Sequence, residues 1–202
     1  MPEQASQQAP QPAATRSGFW AEIESMKSPE SKDVAPEPKV GENAPTAPEL
    51  VLPDGRKTLI LFLRHCGCPL SEMQRDIHCI AVSHSSAEAT ERWIPQVGGA
   101  WHTDVIIDEG RDLYAKWGLG LSNTWHAFNP IALYSVYRLG ADEGIWNRPT
   151  ESGSRWQKSG AFAVDEAGMV RWRHISKTAD DLPDFDAALE ALGIVSDDQG
   201  KN

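Results

Sequence analysis

The sequence predicts an α/β sandwich built on a mixed central sheet. Two continuous apolar runs of strand length, residues 58–63 and 77–82, are typical of parallel strands that helices cover on both faces. Segments with helical periodicity separate the predicted strands along the chain. Two further strands near the C-terminus are joined by a short turn, so they must be antiparallel to each other. The combination makes the sheet mixed.

The first half of the domain alternates strands and helices. After the first strand, Pro69 is well suited to the first position of a helix. A second helix is expected over residues 86–96, with Ser85 or Ser86 available as its N-cap. A third strand over residues 104–107 precedes a helix over 112–117. No internal repeat interrupts this order.

The second half closes the domain with a hairpin and a helix. Residues 161–164 and 169–174 form the two predicted strands, and the Asp-Glu-Ala-Gly sequence between them forms the turn. An amphipathic helix is expected over residues 182–192, with Gly193 just past its end. The order of elements is therefore β-α-β-α-β-α-insertion-β-β-α.

Composition divides the chain into a tail, a domain and an insertion. Eight of the 14 prolines fall within the first 48 residues, so residues 1–39 are predicted to be a disordered tail rich in Pro, Gln and Ala. The domain is expected over residues 40–196, followed by a flexible C-terminus over 197–202. Within the domain, residues 119–157 form an insertion rich in aromatic residues.

Charge and composition exclude several classes of function. The formal net charge is −10 and no basic patch is visible, which argues against nucleic-acid binding. No apolar run approaches the roughly 18 residues of a membrane span. The N-terminus does not resemble a secretory signal, and three cysteines do not make a disulfide scaffold, so we expect a cytoplasmic protein with reduced thiols.

The chemistry is expected in the Arg-His-Cys-Gly-Cys-Pro segment that begins at Arg64. Cys68 follows a strand and opens a helix, where unpaired backbone N–H groups and the helix dipole stabilise a thiolate. The nearby Arg64 guanidinium acts in the same direction. Cys68 is therefore the candidate nucleophile.

These segments resemble the peroxiredoxin-like branch of the AhpC/TSA superfamily. The resemblance covers about residues 40–194 and rests on Arg-His-x-Gly-Cys-Pro, the Ala-Val-Ser-His-Ser strand end and the Val-Asp-x-x-Gly-x-Val hairpin. It implies a thioredoxin-like three-layer sandwich and a redox-active thiol at Cys68. It also implies that Arg64 stabilises the thiolate and the leaving oxygen, and His65 could supply a proton or a hydrogen bond. No cofactor is expected.

The chain departs from the family pattern at three places. His65 stands where peroxiredoxins usually have Thr, and Ser71 stands where the related branch often has a second Cys. The connection between the first two strands, residues 65–76, is short for a crossover that contains a helix.

The other two cysteines have less specific interpretations. Cys66 could resolve Cys68 as a strained disulfide, since Cα atoms two residues apart in a strand are roughly 6.6 Å apart; alternatively it packs as a small apolar residue. Cys79 lies in the middle of a strand and is expected to be inert core. A metal site is not expected, because His65, Cys66 and Cys68 have no second Cys/His pair at zinc-ligand spacing.

The aromatic insertion also has two interpretations. Trp125, Trp146 and Trp156 could line a pocket for an aromatic substrate. Alternatively, the aromatic side chains anchor a long loop or form the face of a homodimer.

Two functions follow from these residues. The first is a thiol-dependent oxidoreductase that reduces a peroxide or an oxidised organic substrate through Cys68, with Cys66, glutathione or thioredoxin as the resolving thiol. The second is a degenerate binding or accessory protein without turnover that binds or acts on an aromatic metabolite. Either would have a small molecule as its partner.

Overall fold

The computed structural model describes residues 29–63, 77–94, 103–122, 152–154, 156–178 and 181–194. These residues form a five-stranded sheet with helices on both faces. The strands are β1 Thr58–Phe62, β2 His78–Ser83, β3 Thr103–Ile107, β4 Gly160–Val164 and β5 Val170–Ile175. The helices are α1 Ala87–Trp93, α2 Asp112–Lys116 and α3 Phe185–Ala191.

The sheet is mixed, as the sequence predicts, and its strand order is β3-β2-β1-β4-β5. Strands β1, β2 and β3 are parallel, whereas β4 is antiparallel to β1 and β5 is antiparallel to β4. Phe62 pairs with Gly160, which pairs with Ile175. The ends of β1, β2, β3 and β5 and the start of β4 therefore share one edge of the sheet, which we call the carboxyl edge; the opposite edge is the amino edge.

The core lies on both faces of the sheet. On one face Phe62, Tyr114, Trp117 and Phe162 form an aromatic cluster, with centroids 5.0 Å apart for Phe62 and Tyr114 and 4.8 Å apart for Trp117 and Phe162. On the other face Leu59 and neighbouring side chains pack against α3. Burial of alternate β1 residues on opposite faces explains the continuous apolar run in the sequence.

Two helix starts are set by capping side chains. The Ser86 hydroxyl accepts a hydrogen bond from Ala89 N–H at 3.3 Å, which confirms Ser86 as the N-cap of α1. Helix α3 begins three residues later than predicted, because the Asp184 carboxylate accepts from Ala187 N–H at 3.0 Å and Pro183 disfavours helical backbone in the residue before it.

Residues 29–39, assigned by composition to the tail, lie against the domain in the structure. Ala35 N–H donates to the Ala115 carbonyl at 2.9 Å, and Arg173 pairs with Glu37 at 3.0 Å. Gly118, at φ +77°, makes room for this segment, since a Cβ there would lie 2.6 Å from Glu37 Cα. Backbone contacts of this kind leave no signal in composition. The rest of the predicted tail and the C-terminal residues 197–202 lie outside the described residues.

The two ends of the predicted insertion belong to the domain. Leu119 and Gln157 are buried, and Gln157 Nε2 donates to the Leu119 carbonyl at 2.8 Å. Residues 119–122 and 156–158 therefore form a short paired neck, whereas residues 123–151 lie outside the described part of the chain. None of the helices described is long and apolar enough to cross a membrane.

Candidate functional site

The predicted thiol site lies mostly beyond the residues that the structure describes. Arg64, His65, Cys66 and Cys68 fall in the 64–76 gap between β1 and β2. Trp125 and Trp146 fall in the insertion, so of the three predicted pocket residues the structure describes Trp156. What the structure does establish is the framework from which these segments leave and to which they return.

The end of β1 is fixed by a buried tyrosine. Leu63 is the last described residue before the predicted site, and its N–H donates to the Val82 carbonyl at 2.9 Å. The Tyr114 hydroxyl lies 2.6 Å from the Leu63 carbonyl and 2.8 Å from the Val82 carbonyl, so its single proton is shared between them. Tyr114 thus ties the ends of β1 and β2 together where the predicted site begins.

Tyr114 is in turn positioned by a capping carboxylate. The buried Asp108 carboxylate accepts hydrogen bonds from the N–H groups of Asp112, Leu113 and Tyr114 at 2.9, 2.8 and 3.2 Å. Burial raises the pKa of Asp108, and these three N–H groups act against that rise. Asp108 therefore satisfies the first turn of α2 and fixes where Tyr114 sits.

The end of β2 holds the returning arm of the insertion. The buried His84 ring accepts a hydrogen bond from Ser154 N–H at Nε2, at 3.0 Å. The Ser85 hydroxyl donates to the Ser152 carbonyl at 3.1 Å. Gly153 is at φ +90°, and a Cβ there would lie 3.0 Å from His84 Nε2, so this close approach requires glycine.

The neck brings both ends of the insertion to the carboxyl edge. The Trp156 carbonyl accepts from the Ser122 N–H at 2.6 Å and from the Ser122 hydroxyl at 2.9 Å. Lys158 N–H donates to the Gly120 carbonyl at 3.2 Å, next to the start of β4. The insertion therefore leaves and rejoins the domain at the edge where the predicted thiol segment also leaves β1.

Cys79 is part of the core, as predicted. It lies on β2 opposite Leu59 and is 1% exposed. Burial raises the pKa of the Cys79 thiol to about 11, so it stays protonated at neutral pH. Cys79 is thus unsuited to nucleophilic chemistry.

His78 marks a charged cluster at the amino edge. Its Nδ1 lies 2.9 Å from Asp54 and its Nε2 lies 2.7 Å from Asp104. Hydrogen bonds from Arg56 and His78 lower the pKa of Asp54, against the effect of desolvation. Within the described ranges no three Cys, His, Asp or Glu side chains are grouped as a metal site.

The sequence did not single out Tyr114, Asp108 or His84 as site residues. His84 lies in the Ala-Val-Ser-His-Ser strand end, which entered the argument only as a family motif. Tyr114 carries no local signal, because its role depends on a contact with the end of β1. Asp108 bonds N–H groups four to six residues ahead of it, so an Asp just before a predicted helix was the signal that could have identified it.

Known proteins agree on the fold. The family model described as AhpC/TSA antioxidant enzyme matches residues 70–178, more than half of the 202-residue chain, starting just after Cys68. A peroxiredoxin-like protein from Aquifex aeolicus is similar at 14% identity and TM-score 0.54, over 79% of this chain and 89% of its own. A thiol peroxidase from Chromobacterium violaceum is similar at 15% identity and TM-score 0.50, over 81% and 90%. No curated protein sequence matches the chain.

At such low identity the two structures support the fold alone, and that fold is the mixed sheet with helices on both faces described above. The family match begins at residue 70, directly after the thiol segment, and extends through the insertion and hairpin past the end of β5. The chain is therefore a member of the AhpC/TSA antioxidant enzyme family with a thioredoxin-like fold.

Proposed function

We propose that this protein is a thiol-dependent peroxidase in which Cys68 is the reactive thiol. The observation that carries the proposal is the fixed start of the thiol segment: Tyr114 holds the Leu63 carbonyl five residues before Cys68. In open α/β sheets the carboxyl ends of the strands are where ligands bind, and Cys68 follows β1 at that edge. Membership of an antioxidant enzyme family supports the same chemistry.

The proposed reaction transfers two electrons from the thiol to the peroxide. The Cys68 thiolate attacks one peroxide oxygen, the O–O bond breaks, and the other oxygen leaves as water or an alcohol after taking a proton. Arg64 stabilises the thiolate and the leaving oxygen, and His65 supplies the proton or a hydrogen bond. Cys68 is left as a sulfenic acid.

A second thiol completes the cycle. It condenses with the sulfenic acid to give a disulfide and water, and a further thiol then restores the Cys68 thiolate and carries away the disulfide. Cys79 is unsuited to this step because it is buried in the core. The resolving thiol is therefore Cys66 or an external reductant such as glutathione or thioredoxin.

The position of the neck favours a second candidate function. Both ends of the aromatic insertion are held at the carboxyl edge, by Trp156 with Ser122 and by Ser154 with His84. An insertion rooted there could place Trp125 and Trp146 over the thiol as a pocket for an aromatic molecule. In that case the protein binds or acts on an aromatic metabolite, with or without turnover at Cys68.

A peroxidase assay tests the first candidate. Consumption of hydrogen peroxide and of an aromatic hydroperoxide would be followed with thioredoxin or glutathione as reductant. Cys68→Ser should lower turnover by at least about a thousandfold, as expected for loss of a covalent nucleophile. Cys79→Ser is the matched control and should leave turnover unchanged in folded protein.

The assay also separates the candidates. Turnover that survives Cys68→Ser would contradict the proposal. No turnover in wild type, with saturable quenching of tryptophan fluorescence by an aromatic ligand, would support the binding protein. Cys66→Ser should slow turnover only if Cys66 resolves Cys68. The cytoplasmic location and the homodimer stay predictions that sedimentation and localisation would test separately.

A further inference from the structure

A cavity of about 700 Å³ opens at the carboxyl edge beside the neck. Its walls come from the end of β5, from the neck, and from Glu37 in the N-terminal segment. Its volume falls within the range of roughly 300–1,000 Å³ that is usual for small-molecule sites. The mechanism proposed above does not use it.

Some of the charged side chains that line the cavity have partners in the protein. Arg173 is neutralised by Glu37 at 3.0 Å, and it also donates to the Pro38 carbonyl at 3.3 Å. One Asp181 oxygen accepts from Lys177 N–H at 2.8 Å, and the other lies 3.2 Å from Nε2 of His174. Both carboxylates of the lining are therefore already engaged.

Two lysines of the lining have no such partner among the described residues, where no carboxylate lies within 4.0 Å of the ammonium group of Lys158 or of Lys177. Lys158 is half-buried between the neck and β4, and Lys177 is exposed. In a chain with a formal net charge of −10, two lysines of one lining without a described carboxylate partner create a local attraction for an anion.

The rest of the lining fits an organic molecule. Leu121 and Ile175 supply apolar surface, whereas the hydroxyl protons of Ser122 and Ser176 are already donated to backbone carbonyls. Arg173 donates through Nη1 to Glu37 and to the Pro38 carbonyl, and Glu37 neutralises its charge. Lysine ammonium groups beside apolar surface therefore suit an organic carboxylate, which can contact both, better than inorganic phosphate, which has no apolar part.

We infer that this cavity binds a small organic carboxylate, with the ammonium groups of Lys158 and Lys177 holding its charge. None of the described lining residues belongs to the proposed thiol mechanism, so we expect binding not to require Cys68. Its place beside the neck puts such a ligand next to the root of the aromatic insertion.

Titration of the full chain tests the inference. Succinate and benzoate would be the carboxylate probes, with succinamide as the uncharged analogue and inorganic phosphate as the competing anion. Binding would be followed by calorimetry, and NMR shifts of Ile175 and Ser176 would locate it. The variant is the double substitution Lys158→Gln and Lys177→Gln, and its control, Lys39→Gln with Lys116→Gln, removes equal charge at exposed positions outside the cavity.

The expected result is saturable binding of at least one carboxylate probe that shifts the cavity resonances. Its dissociation constant should rise at least tenfold in the cavity variant and change less than twofold in the control variant. Succinamide should bind at least tenfold more weakly than succinate. Equal loss in both variants, tighter binding of phosphate than of either carboxylate, or no saturable carboxylate binding would overturn the inference.

Discussion

At the amino edge of the sheet polar and charged side chains contact one another, whereas at the carboxyl edge polar side chains hold backbone groups beside a cavity whose lining includes two lysines. His78 lies between Asp54 and Asp104, and Arg56 pairs with Asp54 at 2.8 Å. On the opposite edge, Tyr114 holds the ends of β1 and β2. At the amino edge, therefore, the side chains bond to one another.

This difference separates stability from function within one small sheet. Contacts of His78 with Asp54 and Asp104 at the amino edge join the turn before β1 to β2 and β3. The carboxyl edge instead fixes the start of the thiol segment, both ends of the insertion and one wall of the cavity. Substitutions at the two edges should therefore affect different measurements.

The largest expected effect is on the capping carboxylate. Asp108→Ala leaves three N–H groups of α2 without their acceptor, so the free energy of unfolding should fall by about 2–3 kcal/mol. Urea denaturation measures this loss. Asp112→Ala is the control: among the described residues the exposed Asp112 side chain forms its one ion pair with Lys32, so its loss should cost less than about 1 kcal/mol. Equal losses would show that Asp108 does not organise α2.

Tyr114→Phe tests the link between the carboxyl edge and the thiol. The ring contacts with Phe62 remain, but loss of the hydroxyl should cost about 1–1.5 kcal/mol and slow oxidation of Cys68 several-fold. Stopped-flow measurement of the Cys68 rate and its pH profile checks this. Val164→Ala, a core truncation at the amino edge, should lower stability while leaving the Cys68 rate unchanged. If Tyr114→Phe and Val164→Ala slow Cys68 oxidation equally, the carboxyl edge has no special effect on the thiol.

Asp54→Asn tests whether the amino edge contributes to stability without affecting the thiol. The pKa of Asp54 is lowered in the folded state, so its contribution to stability is complete above the unfolded value of 3.8 and is lost as the pH falls through the folded pKa. The variant should therefore lose less stability than wild type as the pH falls below about 4. Urea unfolding between neutral and acidic pH measures this slope, and the rate of Cys68 oxidation should not change. If wild type and Asp54→Asn lose stability equally with falling pH, the contacts of Asp54 do not stabilise the folded state.

The smallest expected effect is the reaction of Cys79 with an alkylating reagent in the native protein. Because burial raises the pKa of this thiol to about 11, only about one thiol in a thousand is ionised at pH 8. Native protein treated with iodoacetamide at pH 8 should carry no label at Cys79, whereas protein unfolded in urea should be labelled fully. Native labelling at the rate of a solvent-exposed cysteine would contradict the burial.

The sequence predicted the sheet well because its strands are buried on both faces. Continuous burial of β1 and β2 makes their apolar runs unmistakable, and a short turn with glycine at its end specifies the hairpin. The start of α3 was predicted too early because apolar periodicity begins at Leu182, before the capping residue Asp184. Periodicity reports which face is buried but not where the backbone changes conformation.

The framework of the site was less accessible from sequence. Cys68 is chosen from its local sequence context, as a thiol predicted between a strand and a helix, and it stays a prediction because it lies outside the described residues. Tyr114 acts across 51 residues on Leu63, and His84 acts across 70 residues on Ser154. Such long-range hydrogen bonds depend on the folded topology, so no spacing rule identifies them.

Mapping where peroxide reacts shows whether Cys68 is the redox-active thiol. Reduced protein would receive one equivalent of hydrogen peroxide with dimedone present, followed by intact-mass and peptide analysis. We expect rapid, selective labelling of Cys68 or a disulfide between Cys66 and Cys68, with Cys79 unmodified. If Cys68 reacts no faster than a free cysteine in solution, it is not a peroxidatic thiol.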